Sequence, residues 1–413
     1  MRAAVAAVAC CVLAGAAAGV AAAARPAISI TPARSLPDDP LAIRITHLAP
    51  GSATVGMRST DDGGFEWSSS ASYRVPAGGT LDLATAFARS GSYRGVWPMG
   101  LLVTMKPSRS DPAGAYIWTT SHRLRFELTV EQHGRQVAAR TFGRGFAGGL
   151  TERRLSFAED GLVGVFYAPL HAHGHPGVVI FGGSEGGYHT LIGALLAAHG
   201  YPTLSLAYFA RPGLPENLEH IPLEYFAKAL RWFAARPQVD AARIAVGGVS
   251  YGSAAALLLA IHYPELVHAV IASVPTNVGL CGLAGTPPVC SGYAWTFGGR
   301  PVPYTTQFGN PAPTDNPNAI IPVERIRVPI FLDCAGRDEK WPSCPYAQAI
   351  VARLKAHGSR APRVLYEYPD AEHFVGAFDP YEPGFGTTEY SYEATERARE
   401  ALWPRLLAFL GRL

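Results

Sequence analysis

The chain has 413 residues, of which 48% are hydrophobic and 16% charged, and its formal net charge is +3. This composition is ordinary for a globular protein and excludes a disordered chain. The length exceeds what one hydrophobic core usually holds, so two domains are expected. The basic residues are scattered along the sequence, and we therefore expect no nucleic-acid-binding surface.

The first 25 residues are typical of a secretory signal peptide. Arg2 precedes a run rich in Ala, Val and Leu, and the small residues Ala22 to Ala24 suit a signal peptidase. The alternative is an uncleaved anchor, since the run is about long enough to span a bilayer. Because alanine contributes little hydrophobicity, the signal peptide is preferred. It predicts a secreted or periplasmic protein without a membrane span after cleavage.

Four cysteines remain after the predicted cleavage: Cys281, Cys290, Cys334 and Cys344. An even number in an exported chain indicates disulfides. Of the three possible pairings we expect the local one, Cys281–Cys290 with Cys334–Cys344, which closes two short loops. The spacings do not match those of zinc sites, and no histidine pair flanks them.

Residues 26–150 are predicted to form an antiparallel β-sandwich. Alternating runs such as "LAIRITHL" and "HRLRFELTVEQ" are separated by turns such as "DDGG" and "PAGG". Alternation with a period of two and turns rich in Gly, Asp and Pro are typical of this architecture. No cluster of catalytic residue types occurs in this half.

Residues 151–413 show a different pattern, in which strands alternate with helices. The strand "PGVVIFGG" is followed by the helix "YHTLIGALLAAHG" and the strand "PTLSLAYF", and similar pairs continue to the C-terminus. This pattern predicts a mostly parallel sheet with helices on both faces. The interval from about 276 to 322 interrupts it and is rich in Pro, Gly, Tyr and Trp. It is predicted to be a cap over a site at the carboxyl ends of the strands.

A candidate nucleophile lies in "AVGGVSYGSAAALLLA", residues 245–260. Ser250 stands between Gly248 and Gly252, directly after an apolar strand and directly before a helix. A Gly-x-Ser-x-Gly motif can mark an ordinary turn, but this context is that of a nucleophile elbow. The elbow is a strained turn that needs small flanking residues and presents the serine hydroxyl above the sheet.

A serine nucleophile needs a base and an acid on later loops of the same sheet edge. Four histidines follow Ser250. His262 and His357 belong to helices and His268 precedes a strand at the opposite edge, whereas His373, in "YPDAEHF", lies just past the strand "RVLYEYP". His373 is therefore the predicted base.

The predicted acid is Asp338 in "IFLDCAGRDEKWPSC", because it follows the end of the strand. Asp333 still belongs to the strand and is interpreted as structural. Asp370 is close to His373 along the chain and is kept as the second choice. A Cys334–Cys344 disulfide would brace the loop that carries Asp338.

The loop "FGGSEGGYHTLIG" occupies the place where such folds supply an oxyanion-binding N–H group. Gly183 and Ser184 are the candidates there, together with the N–H of Tyr251 after the nucleophile. The alternative, a phosphate-binding loop, lacks the Gly-Lys-Ser/Thr ending. The histidines of "HAHGH", residues 171–175, are interpreted as a solvated turn rather than a metal site. No cofactor and no metal are expected.

The chain resembles the acyl-CoA thioesterase / bile acid-CoA:amino acid N-acyltransferase family. The segments "SYRGVWPMGLLVTMKP", "GGVSYG", "IPVERIRVPIFLDCAGRDEKWPS", "RLKAHG" and "AEHF" carry the resemblance, which covers nearly the whole mature chain. It implies a β-sandwich followed by an α/β-hydrolase domain. The family's nucleophile, acid and base fall on Ser250, Asp338 and His373.

The resemblance implies an acyl-CoA thioesterase, which acts on a small-molecule thioester or ester. The transferase members carry Cys at the nucleophile position, so the serine here favours water as acceptor. The signal peptide and the acidic residue in "GGSEGG" also depart from the family pattern. The alternatives are an exported carboxylesterase, an acyltransferase acting on a non-CoA ester, and a binding module in which the sandwich is the functional part.

Overall fold

A computed structural model of the chain describes residues 24–109, 116–120, 123–146, 149–384 and 392–413. All but the last two residues of the predicted signal peptide lie outside the described residues. Within the described ranges, no helix is both long and apolar enough to cross a membrane.

The N-terminal part consists of two facing β-sheets. One has three strands in the order β1-β3-β6; the other has the order β2-β10-β9-β4-β5-β7, with β8 beside β5. Alternate side chains point inward, so that Val55, Phe126 and Val130 are fully buried between the sheets. The strands are β1 (Ala27–Thr31), β2 (Arg34–Ser35), β3 (Ala42–Thr46), β4 (Gly51–Thr60), β5 (Glu66–Val75), β6 (Leu81–Asp82), β7 (Ala88–Gly91), β8 (Lys106–Pro107), β9 (Arg123–Gln132) and β10 (Arg135–Gly145).

The C-terminal part is built on one sheet of eight strands, in the order β11-β12-β14-β13-β16-β17-β22-β23. The first two pairings are antiparallel, and the strands from β14 to β23 are parallel to one another. The central strands read as continuous apolar runs because both of their faces are covered. The strands are β11 (Leu150–Leu155), β12 (Val163–Pro169), β13 (His175–Phe181), β14 (Thr203–Ala207), β16 (Val239–Val249), β17 (Ala269–Ser273), β22 (Ile330–Ala335) and β23 (Arg363–Tyr368).

Helices cover both faces of this sheet and bury a core on each. α3 and α7 contribute Leu195 and Leu406 to one core, and α4, α5 and α6 contribute Phe226, Leu257 and Ile350 to the other. The helices of the chain are α1 (Gly100–Val103), α2 (Phe157–Asp160), α3 (Thr190–Ala198), α4 (Leu223–Ala234), α5 (Tyr251–His262), α6 (Ser343–Ala356) and α7 (Tyr392–Leu410), with 3-10 turns at Pro317–Ala319, Val323–Arg325 and His373–Ala377. The predicted fold class, a sandwich followed by a sheet with helices on both faces, is confirmed.

Between β17 and β22 the chain forms small hairpins that lie against the main domain. A disulfide joins Cys281 to Cys290 across the first of them, and a second disulfide joins Cys334 to Cys344. Both predicted pairings are confirmed. The short strands of this region are β15 (Ile221–Pro222), which pairs with β20, β18 (Gly282–Ala284), β19 (Val289–Ser291), β20 (Trp295–Phe297) and β21 (Arg300–Pro301).

The two parts contact each other through α7. The Trp97 indole donates a hydrogen bond to Glu400 (3.1 Å), and the Trp403 indole donates one to Asp38 (2.8 Å). His199 Nε2 lies 2.5 Å from the same Asp38 carboxylate. The last helix of the chain therefore holds the sandwich against the larger sheet.

Candidate active site

Ser250 stands at a strained turn between β16 and α5. Its backbone has φ 57° and ψ −124°, a conformation that costs a non-glycine residue about 1–3 kcal/mol. The turn is possible because its neighbours are glycines: an added Cβ at Gly248 would lie 2.0 Å from the Gly252 carbonyl oxygen, and one at Gly252 would lie 2.2 Å from that of Gly182. This is the geometry of a nucleophile elbow.

The structure brings Asp338 and His373 together, as the sequence predicts. His373 Nδ1 lies 2.8 Å from both carboxylate oxygens of Asp338. The side chain of Asp338 is 1% exposed and also accepts backbone hydrogen bonds from Lys340 and Trp341. Because its oxygens are held on several sides, the carboxylate fixes the orientation of the imidazole.

The other acidic candidates take different positions. Asp370 is largely exposed and pairs with Arg337, and Asp333 is buried within β22, where it accepts a hydrogen bond from Ser273 (2.6 Å). Glu339 accepts the backbone N–H of His373 at 3.3 Å. Of the four carboxylates, Asp338 has the contact with the histidine ring.

Ser250 and His373 face the same cavity of about 510 Å³. Within the described part of the chain, their side chains form no hydrogen bond with each other in this state. Catalytic contacts of this kind often close only when substrate is bound. The cavity is mostly apolar and is lined by Ser184, Glu185, His189, Val249, Ser250, Tyr251, Leu283, Phe308, Lys340, Trp341, His373, Phe374 and Ala377.

Two side-chain contacts that the sequence does not predict hold parts of this site in place. The Trp341 ring packs edge-on against the His373 ring, with 5.7 Å between centroids, and its indole donates to the Val274 carbonyl (3.1 Å). The Tyr251 hydroxyl donates to the carbonyl oxygen of Cys281 (3.2 Å) and so ties the elbow to the first hairpin. No short motif marks these contacts, because both partners are distant in sequence.

The Cys334–Cys344 disulfide closes the loop that carries Asp338. We expect Cys334→Ser/Cys344→Ser to lose about 2–3 kcal/mol of unfolding free energy and to lower kcat, because the loop would no longer hold Asp338 against His373. Chemical unfolding and steady-state kinetics measure the two effects.

The matched control is Cys281→Ser/Cys290→Ser, which opens a loop of similar length in the hairpin that carries Leu283. Its loss of stability should be comparable, but the kinetic effect should fall on KM, since Leu283 lines the cavity. An unchanged kcat in the first double variant would contradict the role given to that disulfide.

We expect Asp333 to make the free energy of unfolding depend on pH. Burial raises its pKa to about 7, and its second carboxylate oxygen has no hydrogen-bond partner among the described residues. The unfolded chain therefore releases this proton first, and the free energy of unfolding falls as pH rises from about 4 to 7. We expect Asp333→Asn to remove a decline of about 3 kcal/mol over that range. Urea titrations of both proteins at several pH values measure it, and parallel curves would contradict it.

The predicted oxyanion donors are not equivalent in the structure. The Gly183 N–H donates to both carboxylate oxygens of Glu185, at 3.0 and 2.9 Å, so it is occupied. The N–H groups of Ser184 and Tyr251 have no hydrogen-bond partner in the residues that the structure describes, and both residues line the cavity beside Ser250. In this state, two of the three predicted donors are available to an oxyanion.

The sheet order, the strained elbow and the acid–base pair on later loops together define the chain as an α/β-hydrolase. Family models match most of its length: the acyl-CoA thioester hydrolase/BAAT N-terminal region matches residues 38–155, and the BAAT/acyl-CoA thioester hydrolase C-terminal region matches residues 221–286 and 291–411. The chain belongs to the acyl-CoA thioester hydrolase/BAAT family, which confirms the resemblance seen in the sequence.

Relatives of the chain are named for thioester hydrolysis and for N-acyl transfer. The chain is 32% identical to mouse acyl-coenzyme A thioesterase 6 over 376 residues, which cover 86% of each chain. It is 30% identical to mouse mitochondrial acyl-coenzyme A thioesterase 2 over 387 residues, 86% of this chain and 80% of the other. It is 28% identical to mouse acyl-coenzyme A amino acid N-acyltransferase 2 over 381 residues, 86% and 87% of the two chains.

Similar solved structures include an alpha/beta hydrolase from a Medee basin deep-sea metagenome library, with a TM-score of 0.45 and 17% identity over 64% of this chain and 99% of the other. An esterase from Pyrobaculum calidifontis has a TM-score of 0.40 and 20% identity over 62% and 86% of the two chains.

Proposed function

We propose that the protein is a serine hydrolase that cleaves acyl thioesters, with acyl-CoA as the substrate type and water as the acceptor. The observation that carries the proposal is the His373–Asp338 pair at 2.8 Å, whose histidine lines the same cavity as the strained Ser250. Family membership supports the thioester class of substrate.

In the proposed mechanism Ser250 Oγ attacks the acyl carbonyl carbon while His373 Nε2 removes the hydroxyl proton. Asp338, hydrogen-bonded to Nδ1, stabilises the imidazolium. The carbonyl oxygen becomes an oxyanion and accepts hydrogen bonds from the N–H groups of Ser184 and Tyr251. The tetrahedral intermediate then collapses, the carbon–sulfur bond breaks, and the thiolate leaves with the proton that His373 returns.

Water completes the cycle. His373 deprotonates a water molecule, which attacks the acyl-enzyme; the ester bond to Ser250 breaks, and the serine recovers its proton. The free acid leaves the cavity. A serine ester is less readily attacked by amines than a cysteine thioester, which favours hydrolysis over transfer to an amino acid.

The acyl chain has an apolar wall to pack against. Leu283, Phe308, Trp341 and Phe374 line the cavity, and Phe308 and Phe374 are about 40% exposed although they are large and apolar. Exposed aromatic rings around a catalytic cavity are typical of a binding site for an apolar group.

The second candidate is an exported esterase acting on a non-CoA acyl ester. The two disulfides favour it, because disulfides persist mainly in oxidising compartments, and the proposed signal peptide would separate the enzyme from intracellular CoA.

The test compares acyl-CoAs of short, medium and long chain with p-nitrophenyl esters of the same acids. We expect a higher kcat/KM for the thioesters and Ser250-dependent labelling by a fluorophosphonate. A clear preference for simple esters would favour the second candidate, and release of amide or ester products with added amines or alcohols would identify a transferase.

A further inference from the structure

The side chain of Tyr208 contacts the backbone of the loop after β13, at Gly182 and Gly183. The Tyr208 hydroxyl contacts two successive carbonyl oxygens, those of Gly182 (3.1 Å) and Gly183 (2.5 Å). Tyr208 is fully buried, and its ring packs among the rings of Phe181, Phe226 and Trp295. The hydroxyl therefore has a fixed position from which it orients both peptide groups.

The direction of the following N–H groups follows from this contact. In a trans peptide the carbonyl and the next N–H point in opposite directions. With both carbonyls turned towards Tyr208, the N–H groups of Gly183 and Ser184 point away from it. The first meets Glu185, and the second has no partner among the described residues, in a residue that lines the cavity with Ser250.

The Glu185 carboxylate occupies the space beside Gly182 that a side chain at that position would take. An added Cβ at Gly182 would lie 1.6 Å from Glu185 Oε1 and 2.8 Å from His189 Nε2. His189 Nε2 lies 3.2 Å from that same carboxylate oxygen. The Glu185 carboxylate is thus bound on one side by the Gly183 N–H and on the other by His189, four residues further along the same loop.

His189 reduces the repulsion that the Glu185 carboxylate would exert on a nearby oxyanion. The side chain of Glu185 is about half exposed, and partial burial works against ionisation of both groups. The hydrogen bond and charge of each partner outweigh this effect, so the pKa of His189 is raised and that of Glu185 is lowered. An isolated carboxylate would repel the negative charge that develops on the substrate, and a protonated His189 at 3.2 Å from Glu185 would offset that repulsion.

We propose that Tyr208 and Glu185, the latter clamped by His189, are positioning residues that hold the Gly182–Ser184 segment so that the Ser184 N–H binds the oxyanion. This inference rests on the proposed function and deepens it. In this proposal the Gly183 N–H anchors the loop through Glu185 and does not bind the oxyanion. The N–H groups of Ser184 and Tyr251 bind the oxyanion and stabilise the transition state.

The first test is Tyr208→Phe, which keeps the buried ring and removes the hydroxyl. We expect kcat, and the second-order rate of fluorophosphonate labelling, to fall about tenfold or more, with KM within about twofold, because loss of a well-aimed oxyanion donor acts on the transition state. The control is Tyr225→Phe. The Tyr225 hydroxyl also donates to a backbone carbonyl, that of Ala207 (2.8 Å), but it lies outside the cavity lining. Both rates should stay unchanged there.

The second test compares Glu185→Ala with Glu185→Gln. We expect the alanine variant to lose about tenfold in kcat and labelling rate, and the glutamine variant to recover most of it, because the amide oxygen can still accept the Gly183 N–H. Equal rates for the wild type, Glu185→Ala and Tyr208→Phe would overturn the inference. A faster Glu185→Ala would overturn it too and show that the carboxylate obstructs the site.

Different results would overturn the proposed function and the positioning role of Tyr208 and Glu185. A wild-type protein that neither hydrolyses thioesters or esters nor takes up the label overturns the proposed function and this inference with it. A wild type with Ser250-dependent turnover, together with unaffected positioning variants, overturns the inference alone. Thermal unfolding of each variant separates misfolding from misalignment, since a structural loss lowers Tm without changing kcat and KM selectively.

Discussion

Ser250→Ala is expected to abolish turnover, with kcat reduced by a factor of about 10⁴ to 10⁶. In the proposed mechanism this hydroxyl forms the acyl-enzyme, and of the two serines that line the cavity, Ser184 and Ser250, it is Ser250 that stands at the strained elbow. Initial rates on the best acyl-CoA or p-nitrophenyl ester measure the effect, and fluorophosphonate labelling followed by mass spectrometry of the peptide locates the modified residue.

Ser69→Ala is the matched control, because this serine is also buried but lies in the sandwich. It should keep the wild-type kcat. If Ser250→Ala retained activity and label, the nucleophile assignment would be wrong. If neither protein turned over any acyl substrate, the binding-module alternative would gain support.

Asp338→Asn should lower kcat by a factor of about 10³ to 10⁴ while leaving KM nearly unchanged. The carboxylate contacts His373 Nδ1 at 2.8 Å and is 1% exposed. An amide in its place can present its N–H₂ group to the ring, favour the wrong tautomer, and fail to stabilise the imidazolium. Rates across a pH series show whether the loss persists where the histidine is neutral.

Asp370→Asn makes the same chemical change three residues before His373, at a carboxylate whose side chain is 71% exposed. It removes only an ion pair to Arg337 at the surface and should leave kcat within about twofold, since exposed ion pairs contribute little. A loss equal to that of Asp338→Asn would transfer the role of the acid to Asp370.

Much of the molecule could be predicted from local patterns. Apolar runs bounded by glycine and proline locate β13, β16 and α5, because a strand or helix buried in the sheet must present apolar side chains at its own period. The elbow is readable because its steric demand for Gly248 and Gly252 acts within five residues. Both disulfides follow from cysteines nine and ten residues apart.

The position of the acid and base follows from chain order as well. Residues just beyond the carboxyl ends of parallel strands meet at one edge of the sheet, and so Asp338 after β22 and His373 after β23 are brought together. This inference needs the topology but no side-chain detail.

Only the tertiary structure shows which of the predicted oxyanion donors are already engaged in another hydrogen bond. The glycine-rich loop offers several N–H groups, and their directions depend on Tyr208, which reaches the loop from the end of another strand. Glu185 and His189 are four residues apart in the loop before α3, and nothing in that spacing shows that the carboxylate binds the Gly183 N–H. Such contacts join side chains with backbone groups whose orientation is set by packing. The periodic pattern of apolar residues in the sequence therefore does not predict them.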